Sequence, residues 1–125
     1  MTDDAYFFDT YAIIEIVKGN PKFMKYVGSQ IIITEFILAE LCLSLIRELG
    51  IQKSFYYVDK YSQFVVPVNK EIIKRAMMYR FENSKKNVSM TDCIGYFLSK
   101  DLGMKFLTGD KEFKNMKNVE FVTKD

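Results

Sequence analysis

The sequence predicts a single α/β domain built on a mainly parallel sheet, and three observations carry that prediction. The run Ala5–Phe8 is apolar without alternation, as in a strand buried on both faces. Further short apolar runs at residues 31–33, 64–66, 105–107 and 119–122 alternate with longer stretches of helical spacing, the pattern of strand–helix–strand units. The chain has 125 residues, enough for one proper core and too few for two.

The elements follow in order. After the first strand, Tyr11, Ile14 and Val17 recur at helical spacing, and Gly19-Asn20-Pro21 stops that helix. A short helix over residues 22–27 leads through Gly28 to the second strand. Thr34 has the chemistry of an N-cap for a long helix to Leu49, closed by Gly50. An aromatic-rich helix covers Ile51–Tyr61, and residues 64–66 form the third strand, ended by Pro67. Asn69 caps a helix over Lys70–Glu82, and the polar residues 83–88 form a loop. Ser89 opens the next helix, which stops at Gly103, and residues 105–107 and 119–122 supply the fourth and fifth strands. Right-handed crossovers then place every strand's carboxyl end on one edge of the sheet.

Composition narrows the chemistry. With 0 histidines, most serine-triad, cysteine–histidine and imidazole–zinc mechanisms are closed to this chain. Carboxylate chemistry remains, most naturally carboxylates holding a hard divalent cation. Cys42 and Cys93 make no C-x-x-C spacing and read as small buried hydrophobes in a reducing compartment. No apolar run approaches the ~20 residues that span a bilayer. The opening Met1-Thr2-Asp3-Asp4 lacks the basic start of a signal peptide, so a cytoplasmic protein is expected, away from membranes. The net charge of +2 leaves room for an acidic pocket ringed by lysines.

Four acids are the candidates for function: Asp9, Glu40, Asp92 and Asp110. Asp9 and Asp110 lie just past the carboxyl ends of two predicted strands, on the same rim. Either would also serve as an N-cap, Asp9 for the helix after the first strand and Asp110 for a turn through residues 111–113. Glu40 lies in a helix where, from Phe36 to Ile46, Ser44 is the other polar residue. At ~100° per residue it sits opposite the stripe Ile37, Leu38, Leu41, Cys42, Leu45, Ile46. A lone carboxylate on so apolar a helix is costly unless something cationic meets it, and an ion pair with Arg47 is the plain alternative. Ser89-Met90-Thr91-Asp92 fits a capping box, a role compatible with an ionised carboxylate at a helix N-terminus. Capping alone explains neither Glu40 nor the chemical likeness of all four.

Lys74, Arg75 and Arg80 on one helix, Lys85 and Lys86 on the loop, and Lys111, Lys114 and Lys117 near the acidic rim could meet a phosphate backbone. Most such runs are solvated faces. Arg80 is singled out because its helical angle falls near Ile72, Ile73 and Ala76. Phe55, Tyr56, Tyr57 and Tyr61 exceed what one helix face needs, so part of the set is core. The rest, with the apolar helix Glu35–Leu49, points to a protein–protein surface.

At Phe8-Asp9-Thr10-Tyr11-Ala12, Leu38-Ala39-Glu40-Leu41, Thr91-Asp92-Cys93-Ile94-Gly95-Tyr96 and Phe106-Leu107-Thr108-Gly109-Asp110-Lys111-Glu112-Phe113 the chain resembles a PIN-domain ribonuclease. It is most similar to the small toxins of VapBC toxin–antitoxin pairs, over essentially its whole length. The resemblance implies a three-layer α/β/α fold with a five-stranded sheet in the order 3-2-1-4-5. It also implies that Asp9, Glu40, Asp92 and Asp110 coordinate Mg²⁺ or Mn²⁺ for RNA hydrolysis, with Thr108 supporting them and Arg80 and Lys111 as RNA contacts. A homodimer and an antitoxin partner are implied with it. Many members carry Ser or Asn where this chain has Tyr11. A receiver-like phosphoryl-transfer domain would need an acidic pair or D-x-D after the first strand, and Phe8-Asp9-Thr10-Tyr11 offers neither. A non-catalytic binding module on the same fold is the other reading, and the presence of all four acids speaks against it.

Overall fold

The structure is a computed structural model describing residues 4–125; residues 1–3, part of the stretch read above for a leader, lie outside the described residues. Strand β1 (Ala5–Phe8) runs directly into α1 (Thr10–Val17), whose N-cap is Asp9. Asn20 then caps a 3-10 turn over Pro21–Tyr26, where an ordinary short helix was expected from residue 22. Strand β2 (Gln30–Ile32) leads through Thr34, whose hydroxyl accepts from Ile37 N at 3.2 Å, into α2 (Glu35–Leu49). Helix α3 (Ile51–Tyr61) folds back against α2, and α4 (Lys70–Glu82) and α5 (Met90–Asp101) form a second packed pair. Strands β3 (Lys105–Thr108) and β4 (Val119–Phe121) close the fold. No helix among the described residues is long and apolar enough to cross a membrane.

The sheet is parallel throughout, in the order β2-β1-β3-β4. It has four strands, one fewer than expected. Residues 64–66 do not form a strand, because Ser62–Phe64 wind into a 3-10 turn and Pro67 brings no N–H to extend a ladder. A single parallel bridge, Ile33 to Val65, is what remains. Ile33 N donates to Phe64 O at 3.1 Å and Val66 N to Ile33 O at 2.9 Å. The bridge occupies the place beyond β2 that a full strand would have held.

The sheet is covered on both faces, which is why its strands read as apolar runs. Phe7 and Phe106 are paired in register and both point toward α5. On the other face, Tyr6 stands edge-on to Tyr26 of the 3-10 turn, with ring centroids 5.1 Å apart. Fully buried Ile37, Leu41 and Leu45 form the inward stripe of α2, while Leu38, Cys42 and Ile46 are only partly covered. Cys42 is therefore half-buried rather than a core residue, whereas Cys93 is buried as expected; both thiols are free.

Gly95 marks where α5 meets the sheet most closely. A Cβ there would lie 2.6 Å from Phe7 Cε1 and 3.2 Å from Phe106 Cε1, both rings being fully buried. Gly95→Ala should lower the unfolding free energy by about 1–3 kcal/mol despite alanine's better helix propensity, because the overpacked rings have nowhere to move. Urea denaturation checks this; a variant as stable as the parent would mean that the helix can lift off the sheet.

Candidate functional site

Between β1 and β3 the order of strands along the chain reverses, so a crevice opens at their carboxyl ends. Asp9 and Asp110 leave those two strands directly, and Asp9 N continues the ladder by donating to Leu107 O at 3.1 Å. Asp9, Glu40, Asp92 and Asp110 all line one open cleft, with Thr10, Tyr11, Ile14, Ser44, Ser89 and Gly109. The four predicted acids are thus brought to one place from four different elements.

Asp9 and Asp110 are each held as the cap of the turn or helix that follows them. Asp9 is 2% exposed, and its Oδ1 accepts from Ala12 N at 2.8 Å as the cap of α1. Burial pushes the Asp9 carboxyl up to about 7; bonds from Thr108 and Ala12 pull the other way, and the charges of Asp110 and Glu40 add to the rise. Asp92 lies in the first turn of α5, where its N–H donates to Ser89 Oγ at 3.0 Å. Burial pushes its carboxyl up to about 8, reinforced by the charges of Asp9, Glu40 and Asp110. Asp110 caps the 3-10 turn Lys111–Phe113, its Oδ1 accepting from Glu112 N at 3.0 Å. The capping roles weighed for Asp9 and Asp110 are therefore real and coexist with a place in the cleft, whereas at Asp92 the structure shows the Ser89 half of the capping box.

Glu40 meets neither Arg47 nor any other cation among the described ion pairs. Its Oε1 accepts from Thr10 Oγ1 at 2.9 Å, a bond that ties α2 to α1 across the cleft. Thr108 is fully buried and links two acids, its hydroxyl oxygen accepting from Asp110 N at 3.0 Å while it bonds to the Asp9 carboxylate. Thr10 and Ser44 were not singled out from the sequence. The signal for Ser44 was present, since it lies one helical turn beyond Glu40 on the otherwise apolar stretch of α2.

The basic residues are more dispersed. Arg80 donates from Nε to Val88 O at 3.1 Å and lines a separate depression with Met77, Phe81, Ser84 and Lys86. Lys111 is exposed on the turn that Asp110 caps. Arg75 pairs with Asp101 at 2.9 Å and Lys74 with Glu71 at 3.3 Å, the solvated-face role.

The donor set suits a hard divalent cation, since every acid presents carboxylate oxygen, and a cation would favour the ionised form of the two carboxyls that burial, and secondarily their acidic neighbours, holds up. The carboxylates do not close into a complete cage. Among the described residues, no group of three or more acidic or cysteine side chains is close enough to hold one ion. Mg²⁺ tolerates that arrangement, because it commonly keeps several waters and takes one or two carboxylates.

A family model described as "PIN domain" matches residues 6–119. No curated protein sequence gives a significant match. Among solved structures, the chain is similar to Mycobacterium tuberculosis VapC20, described as a sarcin–ricin loop cleaving toxin, with a TM-score of 0.78 at 16% identity over 94% of this chain and 99% of that one. It is similar to VapBC2 from Rickettsia felis bound to a promoter DNA fragment, with a TM-score of 0.73 at 14% identity over 95% and 99%. A toxin–antitoxin complex from Klebsiella pneumoniae gives a TM-score of 0.72 at 18% identity over 96% and 98%.

The raised carboxyls set a pH dependence. Asp9, at about 7, and Asp92, at about 8, bind protons more tightly folded than unfolded, so their contribution to stability is full in acid and lost as pH rises through those values. In chelator, the urea midpoint should therefore fall between about pH 5 and about pH 8, and Asp92→Asn should flatten that fall. A wild-type midpoint that rises over the same window would mean that neither carboxyl is raised in the folded protein.

Proposed function

The chain belongs to the PIN-domain family, and on that basis we propose that it is a divalent-metal-dependent endoribonuclease, the toxin of a VapBC-type pair, acting in the cytoplasm. The observation that carries this reading is the gathering of Asp9, Glu40, Asp92 and Asp110 around one open cleft at the switch point of a parallel sheet. Mg²⁺ or Mn²⁺ is the proposed cofactor, taken up in the cleft that Asp9, Glu40, Asp92 and Asp110 line, by one or two of those carboxylates at a time with water completing its shell.

When bound, such an ion lowers the pKa of water and offsets charge building on a scissile phosphate. The protein's own groups prepare the rest. Thr108 holds Asp9 and the Asp110 backbone in fixed relation, and Thr10 fixes Glu40. A free carboxylate in the cleft takes the proton of the attacking water as the new P–O bond forms and the bond to the leaving nucleotide oxygen breaks. The cleft is open, so water and an extended phosphodiester both have access. Lys111, beside Asp110, is proposed to meet the RNA backbone at the rim. Arg80, tied to the backbone next to cleft-lining Ser89, is proposed to do so farther out.

The partner surface is proposed from exposed apolar side chains. Phe36 and Leu43 on α2, with Ile51, Phe55 and Tyr56 on α3, are 42–63% exposed and support a homodimer or an antitoxin contact. The similar structure described as a toxin–antitoxin complex supports the second partner.

Incubation with structured and single-stranded RNAs, a sarcin–ricin loop hairpin among them, should give cleavage in Mg²⁺ or Mn²⁺ and none in chelator. Asp9→Asn should lower the rate by about 100-fold or more. Cleavage that survives both treatments would sink the metal mechanism.

Asp110 separates ligand from cap. Asn and Asp are near-equal caps, so Asp110→Asn should melt no lower than the metal-free parent yet gain far less from Mn²⁺, whereas Asp110→Ala should also lose ~1 kcal/mol. An Asn variant with full activity and the parent's Mn²⁺ shift would remove Asp110 from the site.

A further inference from the structure

Tyr11 is the aromatic side chain among the residues lining the acidic cleft. Its ring stands edge-on to fully buried Phe23, with centroids 5.8 Å apart. Its hydroxyl is bonded to the backbone of Lys124. A Cβ at Gly109 would lie 2.8 Å from Tyr11 Cζ and 2.8 Å from Val122 O, so glycine there is what lets the ring abut the turn that presents Asp110. The residue is thus held against Phe23 and the Gly109 turn, yet it is only half-buried and lines the cleft with the four acids.

The rest of the lining is poor in surface for a nucleobase. Apart from Tyr11 and Ile14 it consists of acids, hydroxyl side chains and a glycine. A base beside the scissile phosphate needs a flat apolar partner, and unpaired RNA bases find that partner on aromatic rings. A ring already immobilised by its neighbours loses little freedom when a base settles on it. Stacking of this kind is worth roughly five- to 150-fold in affinity.

We propose that Tyr11 is a specificity-determining residue whose ring stacks the base of an unpaired nucleotide next to the cut. The proposal rests on the ribonuclease reading above. The preference is for an unpaired position, since a base held in a duplex cannot present its face to the ring.

The test uses a synthetic RNA carrying the cut site mapped for the parent protein, with an abasic residue placed in turn at each position flanking the cut. One abasic position should lower kcat/KM by about ten-fold or more in the parent, mainly through KM, and equally in Tyr11→Phe, which keeps the ring. In Tyr11→Leu the intact RNA should be cut at the abasic rate, with no further loss on removing the base. Equal abasic losses in the parent and Tyr11→Leu, or no sensitive position in the parent, overturn the proposal. Photocrosslinking of 5-iodouridine at the sensitive position of the parent complex gives a readout that does not depend on the Leu variant folding. A crosslink mapped to Tyr11 supports the contact, and one mapped elsewhere overturns it. A parent protein that cuts no RNA defeats the ribonuclease reading instead, a result distinct from cleavage without coupling to Tyr11.

Discussion

The structure depends on how four like charges are kept on one rim. Asp9 caps α1, Asp92 sits in the first turn of α5, and Asp110 caps the 3-10 turn after β3. A helix start offers unpaired N–H groups and the positive end of the local dipole, which partly offset a carboxylate's charge. Glu40, in mid-helix, has no such help and takes a hydroxyl from Thr10 instead. The offset is incomplete, because burial and mutual repulsion still drive Asp9 and Asp92 well above the ordinary carboxylate range. The fold therefore tolerates the cluster in part by leaving Asp9 and Asp92 partly protonated near neutral pH.

The floor beneath that cluster is rigid. Phe7 and Phe106 lie side by side across β1 and β3, with ring centroids 5.8 Å apart, and Phe106 in turn meets Phe113 at 5.3 Å. Phe113 belongs to the turn that Asp110 caps, so the aromatic core reaches directly under one of the acids. Tyr96 of α5 joins the same group at 5.7 Å from Phe113, four residues beyond Asp92. Packing at this density leaves the acids little freedom to separate, so their repulsion appears as displaced titration rather than as movement.

The parts of this site that could be read from the sequence were those fixed by local chemistry. Asp9 and Asp110 stood out because each follows an apolar run, and Glu40 because a carboxylate is out of place on so apolar a helix. What escaped depended on contacts far apart in the chain. The partner of Glu40 is Thr10, thirty positions away, whereas helical geometry favoured Arg47. Residues 64–66 have strand composition, but Pro67 and the preceding 3-10 turn reduce them to one bridge. Cys42 lies in the apolar stripe of α2, yet it faces the junction with α3, where Ser54 Oγ donates to its carbonyl at 2.7 Å. A stripe read from one helix does not say which neighbour covers it.

The central pairing of the sheet, Phe7 with Phe106, joins residues from nearly opposite ends of the chain. Contacts so distant in sequence form late, since the loop between them must close before pairing brings any return. During synthesis, a growing chain that has emerged only as far as α5 carries Asp9, Glu40 and Asp92 but has no β3 beside β1. The crevice then lacks one wall, along with Thr108 and Asp110. A complete acidic rim accordingly waits for β3 and Asp110, and a chain still on its ribosome with only α5 emerged does not yet possess it.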